Sequence, residues 1–168
     1  APPPPFPTQP LYNIVNRTAE AEQIPAANSY GLGVVTYSPL ARGVLTGKYR
    51  PDEKPDADSR VGRSDKRVLE TEWRPESLSV AQRIQEHLSG RDITPADFAL
   101  AWVLNNRQVT SAIAGPRTEA QWDQYLRALK VRITAEDEAF VDQLVSPGHT
   151  STPGYTDPGH PVEGRTPR

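Results

Sequence analysis

The chain has 168 residues, enough for one domain of ordinary size, and 36% hydrophobic against 24% charged residues suits a folded core. With 19 Lys plus Arg against 21 Asp plus Glu the net charge is -2, so there is no global basic field to gather nucleic acid or anionic lipid. The absence of Cys excludes disulfides and Cys nucleophiles, three scattered His disfavour a histidine metal cage, and no apolar run approaches the ~18 residues of a membrane helix, which together read as a metal-free cytoplasmic protein.

The chain contains no Met and opens Ala1-Pro2-Pro3-Pro4-Pro5-Phe6-Pro7. Loss of an initiator Met before Ala1 and a truncated chain lacking its N-terminal part both explain this. Residues 1 to 10 hold six prolines and read as an extended lead-in with few donors for a ladder. A first strand is expected over 8 to 15, and Thr18, Glu20, Glu22 and Pro25 mark a helix start. The β-branched run Val34-Val35-Thr36-Tyr37 predicts a second strand over 33 to 37.

Residues 50 to 74 carry 14 charged side chains and read as a long surface loop, either a functional lid or disordered. From Glu76 the spacing of Val80, Ile84 and Leu88 predicts a helix stopped by Gly90. Thr94 caps a second helix with Pro95 at its first position and Phe98, Ala101, Trp102 and Val103 on its apolar face. Ser111 to Ala114 reads as a third strand, Thr118-x-x-Gln121 as a cap opening a helix through Ala128, and Thr134 as the cap of a last helix carrying Phe140, Val141 and Leu144. Residues 146 to 168 read as an irregular tail.

Strands alternating with helices indicate an α/β architecture with parallel pairing, but three strands against at least four helices cannot close a sheet, so something should pair with its outer edges. Each strand ends in polar or glycine residues, on the side where parallel α/β folds bind ligands. Gly115, Arg117 and the helix start at Thr118 resemble an anion site, with an approachable backbone, a guanidinium and unpaired N–H groups. The same residues also read as a plain cap, with Thr118 and Gln121 bonding each other and Arg117 solvated. Gly43, Gly47 and Lys48 lack the spacing of a phosphate loop of the Walker type. Trp73, Trp102 and Trp122 read as core or interface aromatics.

The run Tyr37-Ser38-Pro39-Leu40-Ala41-Arg42-Gly43-Val44-Leu45-Thr46-Gly47-Lys48-Tyr49 resembles the aldo-keto reductase family, as do Gln9 with Leu11-Tyr12-Asn13, the helix Phe98 to Leu104, and Ala114-Gly115-Pro116-Arg117-Thr118-Glu119-Ala120-Gln121. The likeness covers about residues 8 to 145 and is to the C-terminal half of that family. It implies a partial (β/α)8 TIM barrel, with the segments here resembling the sixth to eighth strands and their helices, and an oxidoreductase reducing aldehydes or ketones with NADP(H). By this resemblance Gln9 holds the nicotinamide carboxamide and Tyr37 stacks on its ring. Ser38, Leu40, Gly43 and Lys48 line the pyrophosphate. Gly115 and Arg117 meet the adenosine 2'-phosphate, and Gln121 the adenine side. Where the family often has a Glu-Asn pair against adenine, this chain has Gln124-Tyr125.

The family's catalytic Asp, Tyr, Lys and His come from its first four strands, so no catalytic residue is assigned here and the isolated chain is expected to be inactive. The expected partners are the cofactor and a small carbonyl, completed by an N-terminal half, with neither nucleic acid nor membrane, and with self-association possible through open strand edges. A non-catalytic nucleotide-binding or accessory module is the alternative.

Overall fold

The computed structural model describes residues 6–50 and 53–160; parts of the lead-in (1–5), the charged loop (51–52) and the tail (161–168) lie outside the described residues. Three parallel strands, β1 (Pro7–Thr8), β2 (Gly33–Thr36) and β3 (Ser111–Ala112), stand in the order β1-β2-β3. Pro7 lies opposite Gly33 and Val35 opposite Ser111. Beyond the strands the Tyr37 N–H donates to the Pro10 carbonyl at 3.0 Å, and the Ile113 N–H to Thr36 at 2.8 Å.

The expected first strand over 8 to 15 is much shorter, because Pro10 has no N–H to give and Asn13 turns the chain. The Asn13 side-chain oxygen accepts from the Val15 N–H at 3.0 Å and the Asn16 N–H at 2.9 Å, the local bonding by which Asn competes with a ladder. The third strand likewise stops at Ala112, two residues short of the sequence reading.

Helix α1 (Gln23–Ser29) links β1 to β2 and carries Pro25 within its first turn, where no intrahelical N–H partner is required. Within the segment read as an unbroken loop, Lys66–Thr71 forms α2, because the Asp65 side chain accepts from the Arg67 and Val68 N–H groups and caps it. Helix α3 (Pro75–His87) follows with Val80 and Ile84 buried, and α4 (Pro95–Asn105) opens on a capping box in which Thr94 and Asp97 bond each other's backbone. After β3 come α5 (Glu119–Ala128) and α6 (Ala135–Leu144), each capped by the Thr expected from the sequence.

The core lies between the sheet and these helices. In β2, Val34 and Thr36 are buried while Gly33 and Val35 on the opposite face keep partial exposure. Val34, Val44, Leu45, Ile84, Phe98, Trp102 and Val103 belong to one buried cluster. Of the tryptophans read as core or interface aromatics, Trp102 is buried while Trp122 is 51% exposed and so lies outside the core. Among the described residues no helix is long and apolar enough to cross a membrane.

The tail from Ser146 is irregular yet anchored. The Arg17 N–H donates to the His149 carbonyl at 2.8 Å and the Ser151 N–H to Val15 at 3.0 Å. Farther along, Arg67 grips Asp157 through both terminal nitrogens at 2.7 and 3.2 Å, and the Arg74 guanidinium lies 3.9 Å over the Tyr155 ring.

Candidate functional site

The chain leaves β2 through a turn that few sequences tolerate. Ser38, Ala41 and Arg42 have φ of 57°, 47° and 53°, in the left-handed region that costs non-glycine residues energy. Gly43 at φ 100° and Gly47 at φ 75° take the positions where a side chain would be strained most. The turn persists because its surroundings hold it. The buried Asn13 amide donates to the Ser38 carbonyl at 3.0 Å, the Ser38 hydroxyl accepts from the Arg42 N–H at 3.2 Å, and Thr46 donates to the Gly43 carbonyl at 2.8 Å.

This turn forms one wall of a cleft of about 420 Å³. The other wall is the segment after β3 with the first turns of α5, and Arg60 reaches the cleft from the charged segment after Tyr49. Of the nine residues assigned from the sequence, eight line it: Tyr37, Ser38, Leu40, Gly43, Lys48, Gly115, Arg117 and Gln121. Gln9 does not. It is exposed just past β1, beside the Pro10 carbonyl that accepts from Tyr37, so the ends of β1 and β2 are adjacent.

Four cations line the cleft, Arg42, Lys48, Arg60 and Arg117, and no described lining residue is acidic. The Nε of Arg42 is buried without a hydrogen-bond partner among the described residues, a donor that a ligand could satisfy. Lys48 sits 4.9 Å over the Tyr49 ring, which in turn meets Trp73 edge to face at 5.1 Å, so its ammonium stands on a packed aromatic base. A Cβ built on Gly115 would meet nothing within 4 Å, which leaves its backbone open to a ligand.

The cap reading of Thr118 and Gln121 is also realised. Thr118 accepts from the Gln121 N–H at 3.2 Å, and the Gln121 side-chain oxygen accepts from the Arg117 N–H at 2.7 Å. This bonding holds the Arg117 backbone at the helix start.

Gln124 and Tyr125, which stand in the sequence where the family often has its adenine pair, line the cleft as well, and sequence reasoning gave no role to two further lining residues, Arg42 and Arg60. Arg42 lies within the run Tyr37 to Tyr49 that resembles the family, and Arg60 has no local signal because it reaches the cleft by folding of its loop.

Tyr12 lies elsewhere. Burial and its hydrogen bond to Glu20 push the phenol far above its usual pKa, and it donates to Glu20 at 2.7 Å while Arg17 bonds Glu20 at 3.0 Å and Asp142 at 2.8 Å. That network ties the turn after β1 to α6 and is structural.

The Aldo/keto reductase family model matches residues 2–146. A probable voltage-gated potassium channel subunit beta of Oryza sativa subsp. japonica is 36% identical over 129 residues, which are 76% of this chain and 39% of that protein. An L-glyceraldehyde 3-phosphate reductase of Escherichia coli O157:H7 is 31% identical over 145 residues, 83% of this chain and 41% of that protein. The solved structure of the glycerol dehydrogenase AKR11B4 from Gluconobacter oxydans superposes with a TM-score of 0.69 at 26% identity, covering 90% of this chain and 45% of that one. The chain thus spans about two fifths of the length of the curated relatives it matches.

Proposed function

The chain belongs to the aldo/keto reductase family, and on that premise we propose that it holds NADP(H) for an oxidoreductase that reduces an aldehyde or ketone to an alcohol. Residues 8 to 145 would correspond to the sixth to eighth strands of the (β/α)8 barrel and their helices, the C-terminal half, with 1 to 10 a lead-in, 50 to 74 a charged segment over the cleft and 146 to 168 a tail. The observation that carries the reading is the convergence of Arg42, Lys48, Arg60 and Arg117 on one cleft with no described carboxylate lining it, which suits a ligand bearing several phosphate charges.

Bound there, the reduced nicotinamide supplies a hydride to the carbonyl carbon. In this reading Tyr37 packs against the nicotinamide ring and Gln9 holds its carboxamide from the adjacent strand end. Ser38, Leu40, Gly43 and Lys48 border the pyrophosphate. Gly115 and Arg117 receive the 2'-phosphate, and Gln121 borders the adenine. Alcohol formation also needs a proton donor tuned toward neutral pH. The family resemblance assigns that donor to a Tyr assisted by Lys, Asp and His from the first four strands, none of which these residues supply. The 168-residue chain alone is therefore expected to bind NADPH without consuming it, and to act in a cytoplasmic setting on a small carbonyl, with no nucleic-acid or membrane partner.

The test is NADPH fluorescence titration followed by NADPH consumption with an aldehyde panel, with and without a separately made N-terminal half. Turnover by the chain alone refutes the proposal, as does failure to bind NADPH. A non-catalytic accessory module is the second reading, favoured by the similarity to the probable potassium channel subunit beta of rice. Binding that never leads to turnover, even with the other half added, supports it. Phe6 at 76%, Trp122 at 51% and Leu129 at 66% exposure, with β1 and β3 at the edges of the described sheet, favour self-association or docking of a completing half, which the native mass measures.

A further inference from the structure

Arg42 is held by the strained turn after β2 and Arg117 by the start of α5, whereas Arg60 belongs to an irregular coil between Asp56 and Asp65. That coil is folded on itself. The Ser59 N–H donates to the Asp56 carbonyl at 2.9 Å and the Asp65 N–H to the Arg60 carbonyl at 2.9 Å, while at Gly62 any Cβ would collide with the Asp56 backbone. The Arg60 guanidinium donates to one Asp65 carboxylate oxygen at 3.4 Å, and the other oxygen caps α2 by accepting from the Arg67 and Val68 N–H groups at 3.0 and 3.3 Å. Asp65 thus ties Arg60 to the start of α2.

Helix α2 has six residues, too few to stand without tertiary contacts. Val68 anchors it, fully buried, and the tail adds polar ties. Arg67 bonds both oxygens of Asp157 at 2.7 and 3.2 Å, the Tyr155 hydroxyl donates to the Glu70 carbonyl at 3.2 Å, and Thr152 accepts from Arg74 at 2.8 Å just beyond the helix. Asp157 is itself fixed, because its carboxylate accepts from the Gly159 N–H at 2.8 Å. The bond from Arg67 holds that carboxyl below its usual pKa, so the clasp stays charged at neutral pH. Neither Asp157 nor Arg67 lines the cleft.

Resting on the cofactor reading above, we propose that Asp157 is a positioning residue for the cleft: by gripping Arg67 it fixes α2 and, through Asp65, the place of the Arg60 guanidinium among the cations that face the ligand. The tail then takes part in binding without touching the ligand. An arginine held in place beforehand loses less side-chain freedom when the ligand arrives, so the clasp raises affinity by preorganisation. With the clasp released, the ligand itself must order Arg60 and its coil, and affinity falls.

The experiment is calorimetric titration of the full chain with NADPH for the native sequence, Asp157→Asn, Arg67→Gln, Arg60→Ala and the double variant of Asp157→Asn with Arg60→Ala, together with hydrogen exchange over residues 56–71. Asp157→Asn and Arg67→Gln, on the two sides of one clasp, should each weaken NADPH about fivefold and speed exchange in that segment, with the far-UV circular dichroism of the chain unchanged. Arg60→Ala should weaken NADPH about tenfold and the double variant no further, because Asp157 acts through Arg60. Native affinity in Asp157→Asn, unaltered exchange in the segment, or losses that multiply in the double variant overturn the inference while the cofactor reading stands. Failure of the native chain to bind NADPH overturns the cofactor reading and this inference with it.

Discussion

Helices α4 and α5 begin alike and are buried very differently. Each opens on a Thr whose hydroxyl accepts from the third backbone N–H of the helix, and they are 11 and 10 residues long. Yet every residue of α4 from Ala96 to Val103 is buried, while α5 buries only Ala128. Capping decides where a helix starts, and the elements around it decide what it is for. Helix α4 packs against α3, α5, β3 and the 3-10 segment Ala41–Thr46, and so forms the floor beneath the strained turn. Helix α5 leans chiefly on α4 and offers two other faces to solvent, one carrying Gln121, Gln124 and Tyr125 into the cleft and one carrying Trp122 and Leu126 as an exposed apolar stripe.

The largest expected effect lies in α4. Trp102 is 3% exposed, donates to Glu138 at 2.9 Å and lies 5.4 Å from the Tyr12 ring and 5.2 Å from the Arg17 guanidinium. Trp102→Ala is expected to cost about 3 to 5 kcal/mol in urea unfolding. A cost near that of a surface residue would break the contrast between the two helices.

Next comes Asp137, which ties α6 to the end of α3 by bonds to His87 at 2.8 Å and Arg91 at 2.7 Å. Burial opposes its ionisation, but the bonds from Arg91, His87 and Thr134 outweigh this and hold the carboxyl well below its usual pKa. A depressed carboxyl stabilises the fold above its unfolded pKa of about 3.9 and loses that contribution as pH falls toward the folded value. Asp137→Asn should cost about 3 kcal/mol near pH 7 and flatten the acid limb of a pH-dependent melt. An unchanged acid limb would remove Asp137 from the account.

At the cleft the effects shift from stability to binding. Arg117→Ala, at the start of α5, should weaken NADP(H) about tenfold and NAD(H) much less, because its guanidinium is assigned to the 2'-phosphate. Equal losses in titration would show that it does not read that group. Tyr37→Ala should cost about 1 kcal/mol of cofactor binding. The smallest effect on stability belongs to Trp122→Ala, expected within about 0.5 kcal/mol by thermal melting. If the apolar stripe is a docking face, the same change lowers the native mass or weakens capture of a completing half.

The helices were legible because their signals are local. Thr94, Thr118 and Thr134 cap where the sequence indicates, and the period of Val80 and Ile84 sets the buried face of α3. Eight of nine assigned site residues share one cleft because the family resemblance aligned two stretches that parallel strands bring side by side. What stayed hidden depends on contacts distant in sequence. The end of β1 is set by Asn13, whose turn also carries the amide that holds Ser38 25 positions away. Arg60 becomes a cleft residue only through the path of its loop, and the tail, read as irregular, is fastened by Arg67 to Asp157 across 90 positions. A cap or a hydrophobic period is written within a few neighbouring residues, whereas a cleft is made where segments meet. Composition and periodicity therefore determined the elements of this protein, and only tertiary structure decided which cations face one another and which apolar face of α5 is left open.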